Sequence, residues 1–119
     1  MGGRRNKYGN QKSHGFDSKK EERRYDYLRV QEMKGEITEL RRQVPFELLP
    51  TQREPDRIGP RGGIIPGKVI ERPATYIADF TYIRDGELVV EDCKGYKTAD
   101  YRLKRKMLLY FRGIRILET

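Results

Sequence analysis

Apolar and polar positions alternate most regularly between Tyr76 and Lys94. Tyr76-Ile-Ala-Asp-Phe-Thr-Tyr-Ile-Arg and Glu87-Leu-Val-Val-Glu-Asp-Cys-Lys, both rich in β-branched and aromatic residues, flank Asp85-Gly86. That pattern predicts a hairpin with a two-residue type I′ turn. If Asp85 and Gly86 form the whole loop, Arg84 faces Glu87, every further pair has residue numbers summing to 171, and Asp79 stands opposite Asp92.

Helical spacing governs two other stretches. Ser18-Lys-Lys-Glu21 has the spacing of a capping box and predicts a helix that runs until Gly35, with Glu21, Tyr25, Leu28 and Glu32 on one arc. Glu22 points away from that arc, with Asp26 and Arg29. Thr98 predicts the N-cap of a second helix that reaches about Phe111 and is stopped by Gly113. Leu103, Met107, Leu108, Tyr110 and Phe111 share a broad arc of it, opposite Arg102, Arg105, Lys106 and Arg112. Lys104 falls between Phe111 and Leu108 inside the apolar arc, where a lysine either snorkels to the rim or faces a polar pocket.

Between the helices the pattern is less even. Val44 to Leu49 alternates as a strand, and Pro45 restricts it to an edge or to a strand's first residues. Ile37 to Arg42 reads as a short linker or extra turn, and Gln43 as a surface amide within reach of a nearby site. Thr51 to Thr75 carries Pro55, Pro60, Pro66 and Pro73 among Gly59, Gly62, Gly63 and Gly67, an excursion long enough to be functional or unstructured. Within it, Ile64-Ile65 and Val69-Ile70 flank Pro66-Gly67 as in a small hairpin, and two readings stay open: Arg53, Arg57, Arg61 and Lys68 grip DNA, or the stretch is a plain solvent-exposed excursion. Ile114 to Leu117 is expected as a final strand.

Length and charge narrow the class. At 119 residues the chain reads as one domain at 18–119, preceded by a basic arm at 1–17 that holds Arg4, Arg5, Lys7 and Lys12. A formal charge of +8 favours a polyanionic partner, nucleic acid first and an anionic membrane surface second. No apolar run has spanning length and no signal-peptide core follows the charged start, so the expectation is a soluble cytoplasmic protein without a membrane partner. A lone Cys93 and a lone His14 exclude an intramolecular disulfide framework and a Cys/His zinc cluster. Cys93 is expected on the strand face opposite Asp92, as a buried apolar residue rather than a reactive thiol. Neither a Gly-x-Ser-x-Gly turn nor a Gly-x-x-x-x-Gly-Lys-Ser/Thr loop is present, which leaves carboxylates, lysines and metal as the chemistry available.

Like charges directly opposed across a strand pair destabilise it, so Asp79 and Asp92 need an offset. Lys94, two residues past Asp92, turns to the same face. Two readings stay open: a solvated sheet face with an Asp–Lys pair, or a patch for a hard divalent cation held by carboxylates and water. Glu21 likewise is either a helix cap or an inward-facing acid.

The order helix, strand, strand, strand, helix, strand, with Asp79 followed by Asp92-Cys-Lys94 on the next strand, resembles the PD-(D/E)XK nuclease superfamily. Ala78 stands at its "P" position, and Ser18 with Glu21 matches the Ser-x-x-Glu of its first helix. Asn-Lys-Tyr-Gly-Asn near the start, Phe16-Asp-Ser-Lys-Lys-Glu21, Tyr76-Ile-Ala-Asp-Phe80 and Val90-Glu-Asp-Cys-Lys-Gly95 look more narrowly like a family of small phage and prophage proteins assigned to that superfamily. The resemblance implies an α/β (α+β) restriction-endonuclease-like αβββαβ core with a mixed sheet flanked by helices. It implies Mg²⁺ or Mn²⁺ on Asp79, Asp92, Glu21 and the Cys93 backbone carbonyl, with Lys94 acting on the attacking water. Lys104 would contact the scissile phosphate, and Lys97, Arg102, Arg105 and Lys106 would bind nucleic acid. The activity implied is DNA phosphodiester hydrolysis, on branched or structured intermediates such as Holliday junctions, by a homodimer. The competing class is a non-catalytic basic nucleic-acid-binding protein whose acids serve only folding.

Overall fold

The computed structural model describes residues 15, 16 and 18–119, so most of the basic arm and His14 lie outside the described residues. In chain order the elements are α1 (Lys19–Met33), β1 (Thr38–Leu49), β2 (Gln52–Arg53), β3 (Arg57–Ile58), β4 (Ile64–Ile65), β5 (Val69–Glu71), β6 (Ala74–Arg84), β7 (Glu87–Asp92), α2 (Ala99–Arg112) and β8 (Leu117–Glu118). Strands β1, β6, β7 and β8 form one sheet in that order. It is mixed: β6 and β7 are antiparallel, β7 and β8 parallel. The class is therefore α/β in the order αβββαβ, with the short strands β2 to β5 inserted between β1 and β6.

Two compact units can be distinguished. Of the described residues, the first comprises 15, 16, 18–44, 78–97 and 115–119. Its core gathers Phe16, Leu28, Ile37, Phe80 and Tyr82, with Tyr25, Leu40, Val89 and Cys93 packed against them. Phe16, counted with the arm from sequence, is thus a core residue, and its ring lies 5.1 Å from that of Tyr25. Helix α1 begins as the capping spacing requires: Ser18 Oγ accepts from Glu21 N–H at 3.1 Å, and Gly35 takes a φ of +79° past the C-terminus. Of the expected arc, Glu21 and Leu28 are buried together with Gln31, while Glu32 accepts a hydrogen bond from Leu40 N–H at 3.1 Å.

The hairpin forms in the expected register. Phe80↔Glu91, Thr81↔Val90, Tyr82↔Val89, Ile83↔Leu88 and Arg84↔Glu87 are paired, and Asp85 and Gly86 have φ of +52° and +78°, the left-handed pair of a type I′ turn. Glu91 is fully buried and held by a fork from Arg24, Nε to Oε1 at 2.7 Å and Nη2 to Oε2 at 2.9 Å, while Tyr82 O–H donates to the same carboxylate. The Glu91 carboxylate holds the Arg24 guanidinium above its ordinary pKa, and burial with the Glu91 bond pushes the Tyr82 phenol up to about 12.

Of the linker expected at Ile37 to Arg42, all but Ile37 belongs instead to β1. Within it Arg42 is half-buried, its guanidinium 3.8 Å from the Phe16 ring centroid and bonded to Gly15 C=O at 3.1 Å. Pro45 sits in a strand at the sheet edge, as its missing N–H requires of a proline within a strand.

The second unit comprises 45–77 and 98–114. Phe46, Leu48, Tyr76, Tyr101 and Leu108 are buried in it, and the Tyr76 ring lies between those of Phe46 at 6.4 Å and Tyr101 at 6.3 Å. Helix α2 is capped by Thr98, whose Oγ accepts from Tyr101 N–H, and ends at Gly113 with φ +66°. Its apolar arc is only partly covered: Leu103, Tyr110 and Phe111 remain exposed while Leu108 is buried.

The hairpin expected around Pro66-Gly67 does not form. Ile64–Ile65 pairs with Arg57–Ile58, and Val69–Glu71 pairs with Gln52–Arg53, giving two successive ladders. Pro66-Gly67 is a crossing point instead: a Cβ at Gly67 would lie 1.7 Å from Glu54 O, so only glycine admits the backbone there. The last strand is shifted from Ile114–Leu117 to Leu117–Glu118, because Leu117 and Glu118 are the residues that meet Glu91 and Asp92.

Arg24→Met would leave Glu91 buried with only hydroxyl donors. Breaking a buried pair from one side costs about 3–5 kcal/mol, and the retained Tyr82 bond puts this case near the low end. Chemical denaturation should show a lower midpoint for Arg24→Met, largely restored in Arg24→Met/Glu91→Leu; an unchanged midpoint would mean the fork is not structural.

Candidate active site

Past Phe80↔Glu91 the two central strands reach Asp79 and Asp92, the next position of the same register. Asp79 Oδ2 accepts the Cys93 backbone N–H at 2.8 Å, so one carboxylate both ends the ladder and is fixed by it. Asp92 is 1% exposed, and its Oδ1 lies 3.5 Å from Lys94 Nζ. Glu21, 4% exposed, turns inward from the first turn of α1 while its own N–H is held by Ser18, so capping and site are served by one segment. Gln43 Nε2 donates to Glu21 Oε2 at 3.1 Å from a backbone with φ +52°, a conformation uncommon for a side-chain-bearing residue.

Electrostatics tie these groups together. Burial pushes the Asp79 carboxyl up to about 7, the Cys93 N–H bond opposes that rise, the charges of Asp92 and Glu21 add to it, and Lys94 opposes it. Asp79 therefore stands within the fields of two other carboxylates and of the Lys94 ammonium.

Glu21, Asp79, Cys93 and Lys94 line a cavity of about 550 Å³, together with Lys20 and Tyr96. Asp92 is outside that lining and contributes through its ion pair with Lys94. Cys93 lies just beyond β7 rather than within it, half-buried, with Sγ 3.1 Å from Thr119 Oγ1. Burial raises its thiol pKa, which disfavours a nucleophilic thiolate.

The remaining sequence-predicted residues have the following surroundings. Lys97 Nζ lies 3.8 Å from Glu118 Oε1 in the first unit. In the second unit Lys104 Nζ lies 3.5 Å from Asp100 Oδ2, one helical turn away on α2, and the Arg105 guanidinium lies over the Tyr101 ring. Arg102 and Lys106 are exposed on the same helix. Gln43, read from sequence as a surface amide within reach of a nearby site, is exposed and does reach Glu21, whereas sequence reasoning did not single out Lys20, whose Nζ approaches Lys94 C=O at 3.4 Å. Its adjacency to Glu21 was the available signal; the backbone turn that aims Gln43 has no sequence signature.

Among the described residues no three His, Cys, Asp or Glu side chains already form a metal-ligand cluster. The donor chemistry nonetheless suits a hard cation. Asp79 and Glu21 offer carboxylate oxygens to one cavity, a carboxylate has lone pairs for several partners, and a cation would offset both the burial and the neighbouring negative charge that raise Asp79. Mg²⁺ keeps several waters and asks for only one or two protein carboxylates.

A family model described as a protein of unknown function, DUF1064, matches residues 5–117. The chain belongs to DUF1064. No curated protein and no solved structure matches this DUF1064 chain. Among its described residues no helix is long and apolar enough to cross a membrane.

The raised Asp79 sets a pH dependence in metal-free protein. The folded chain retains a proton that the unfolded chain, at its ordinary value of 3.8, releases, so this contribution to stability is full below about pH 4 and lost as pH rises through about 7. Melting temperatures in EDTA should fall across that window in the wild type, and Asp79→Asn should flatten the fall; parallel profiles would contradict the shift.

Proposed function

We propose that this DUF1064 chain is a divalent-metal-dependent endodeoxyribonuclease of the PD-(D/E)XK type, hydrolysing DNA phosphodiesters by in-line attack of water. The observation that carries this reading is the meeting of Asp79, Asp92 and Glu21 around Lys94, from three separate elements, beside one cavity. Asp79 and Glu21, with Asp92 and the Cys93 backbone carbonyl, would hold Mg²⁺ or Mn²⁺. When bound, the ion would supply Lewis-acid stabilisation of charge on the scissile phosphate.

The chain's own groups account for the rest of the chemistry. Lys94 is aimed by its pair with Asp92 and lines the cavity, so its ammonium would orient the attacking water and stabilise charge developing on the phosphate. Gln43 holds the Glu21 carboxylate in place by its amide N–H. The net charge of +8 favours approach of a polyanion, and a core this small leaves shape or branching rather than a long base sequence as the feature to be read. Branched phage recombination or replication intermediates, a homodimeric enzyme and a cytoplasmic setting belong to the same reading.

A second reading, a non-catalytic nucleic-acid-binding protein, is favoured by one observation: Asp92 is buried and ion-paired, as a purely structural acid would be. Incubation of the purified chain with four-way, forked, single-stranded and linear DNA, in Mg²⁺, Mn²⁺ or EDTA, separates the two. Cleavage that is lost in EDTA and reduced at least about 100-fold in Asp79→Asn, Asp92→Ala and Lys94→Ala, with binding retained, is the expected outcome. Absence of cleavage on every substrate, with binding unchanged in those variants, would leave the binding protein. Glu21→Gln preserves the backbone cap, so full activity in that variant would confine Glu21 to folding.

A further inference from the structure

The excursion between β1 and β6 carries a surface that the proposed chemistry does not use. Ile58 and Ile64 are direct cross-strand partners, and they are 73% and 70% exposed. Directly opposed residues project to one face, so the two form a single apolar ridge in solvent. Arg57 pairs with Ile65 at the neighbouring position, and Arg61 sits in the turn closed by Gly59 N–H donating to Gly63 C=O at 2.7 Å. From Arg57 to Ile70 the chain carries Arg57, Arg61 and Lys68 and not one Asp or Glu. All three cations are exposed.

This ribbon is braced at its base. Glu54 N–H donates to Lys68 C=O at 2.8 Å, Arg53 donates to Gly67 C=O at 3.0 Å, and Gly67 N–H donates to Asp56 Oδ1 at 2.9 Å. Those bonds, with the Gly67 crossing, hold an exposed isoleucine pair on a defined support, although burying it internally would lower the free energy of folding.

We propose that the ribbon at 52–71 grips duplex DNA, with Arg57, Arg61 and Lys68 on phosphates and the Ile58–Ile64 ridge wedged at a base step. Apolar wedges flanked by cations are a recurrent means of unstacking and bending a duplex. The exposed apolar residues of the ribbon, Ile58, Ile64, Val69 and Ile70, are few against the roughly 800 Å² per partner that a stable protein interface buries, and the stretch 57–70, free of acids with Glu54, Asp56 and Glu71 flanking it, suits a polyanion. The inference rests on the nuclease reading for DNA as the ligand, and binding is therefore tested apart from cleavage.

The experiment uses the full chain in EDTA with a duplex containing 2-aminopurine. Wild-type protein should bind with a rise in 2-aminopurine fluorescence that reports unstacking. Ile58→Ser/Ile64→Ser should lose that rise and bind at least about 10-fold more weakly. Arg57→Ala/Arg61→Ala/Lys68→Ala should reduce the salt slope of log K by up to about 2.7, at 0.9 per phosphate contact, whereas Arg57→Lys/Arg61→Lys should keep it. Circular dichroism and melting curves establish that each variant is folded. Wild-type affinity and slope in the alanine variant, or an intact fluorescence rise in the serine variant, would overturn the proposal. So would binding to phosphatidylserine vesicles that the serine variant abolishes while duplex binding persists. Mg²⁺-dependent cleavage that survives loss of the ribbon's role would leave the nuclease standing; ribbon-dependent binding without cleavage would do the reverse.

Discussion

Burying carboxylates is the constraint on which the first unit turns. Glu91 and Asp92 are adjacent on β7 and both nearly inaccessible, yet they are treated differently. Glu91 receives an arginine fork and a tyrosine hydroxyl, enough to satisfy a buried anion. Asp92 is paired with Lys94, and burial, with the charges of Asp92 and Glu21 added to it, raises Asp79. One face of the hairpin stabilises the fold, and the other keeps an electrostatic deficit that a cation would remove.

That division depends on register. A slip of one residue would exchange the faces, putting Glu91 beside Asp79 and sending Asp92 toward Arg24. The left-handed Asp85-Gly86 pair prevents the slip locally, and the Cys93 N–H to Asp79 bond secures the far end. The Ser18 cap performs a comparable service for α1, since it fixes the turn from which Glu21 points inward. Gln43 then meets Glu21 from a left-handed position in β1, so local strain is spent where a side chain is being aimed.

Much of this was legible in the residues because local rules dictated it. Asp-Gly specified the turn and hence the register; Ser18, Thr98, Gly35 and Gly113 bounded the helices. What escaped notice depended on partners distant in sequence. Ile37 to Arg42 read as a linker or extra turn, and nothing nearby reveals the Phe16 ring that receives Arg42. Pro66-Gly67 has the composition of a turn, and only the approach of Glu54 shows that the glycine serves a backbone crossing. The apolar arc of α2 was visible, but periodicity alone does not say how much of it will be covered, and Leu103, Tyr110 and Phe111 stay exposed.

The most direct test of the acidic cluster is Mn²⁺ binding by electron paramagnetic resonance, with no nucleic acid present. A single saturable site per chain is expected in the wild type, competed by Mg²⁺, weakened at least about tenfold in Asp79→Asn, and accompanied near pH 6 by proton release as the raised Asp79 ionises. Absence of saturable binding, or binding indifferent to Asp79→Asn and Asp92→Asn, would mean that the crowded carboxylates are structural and hold no metal.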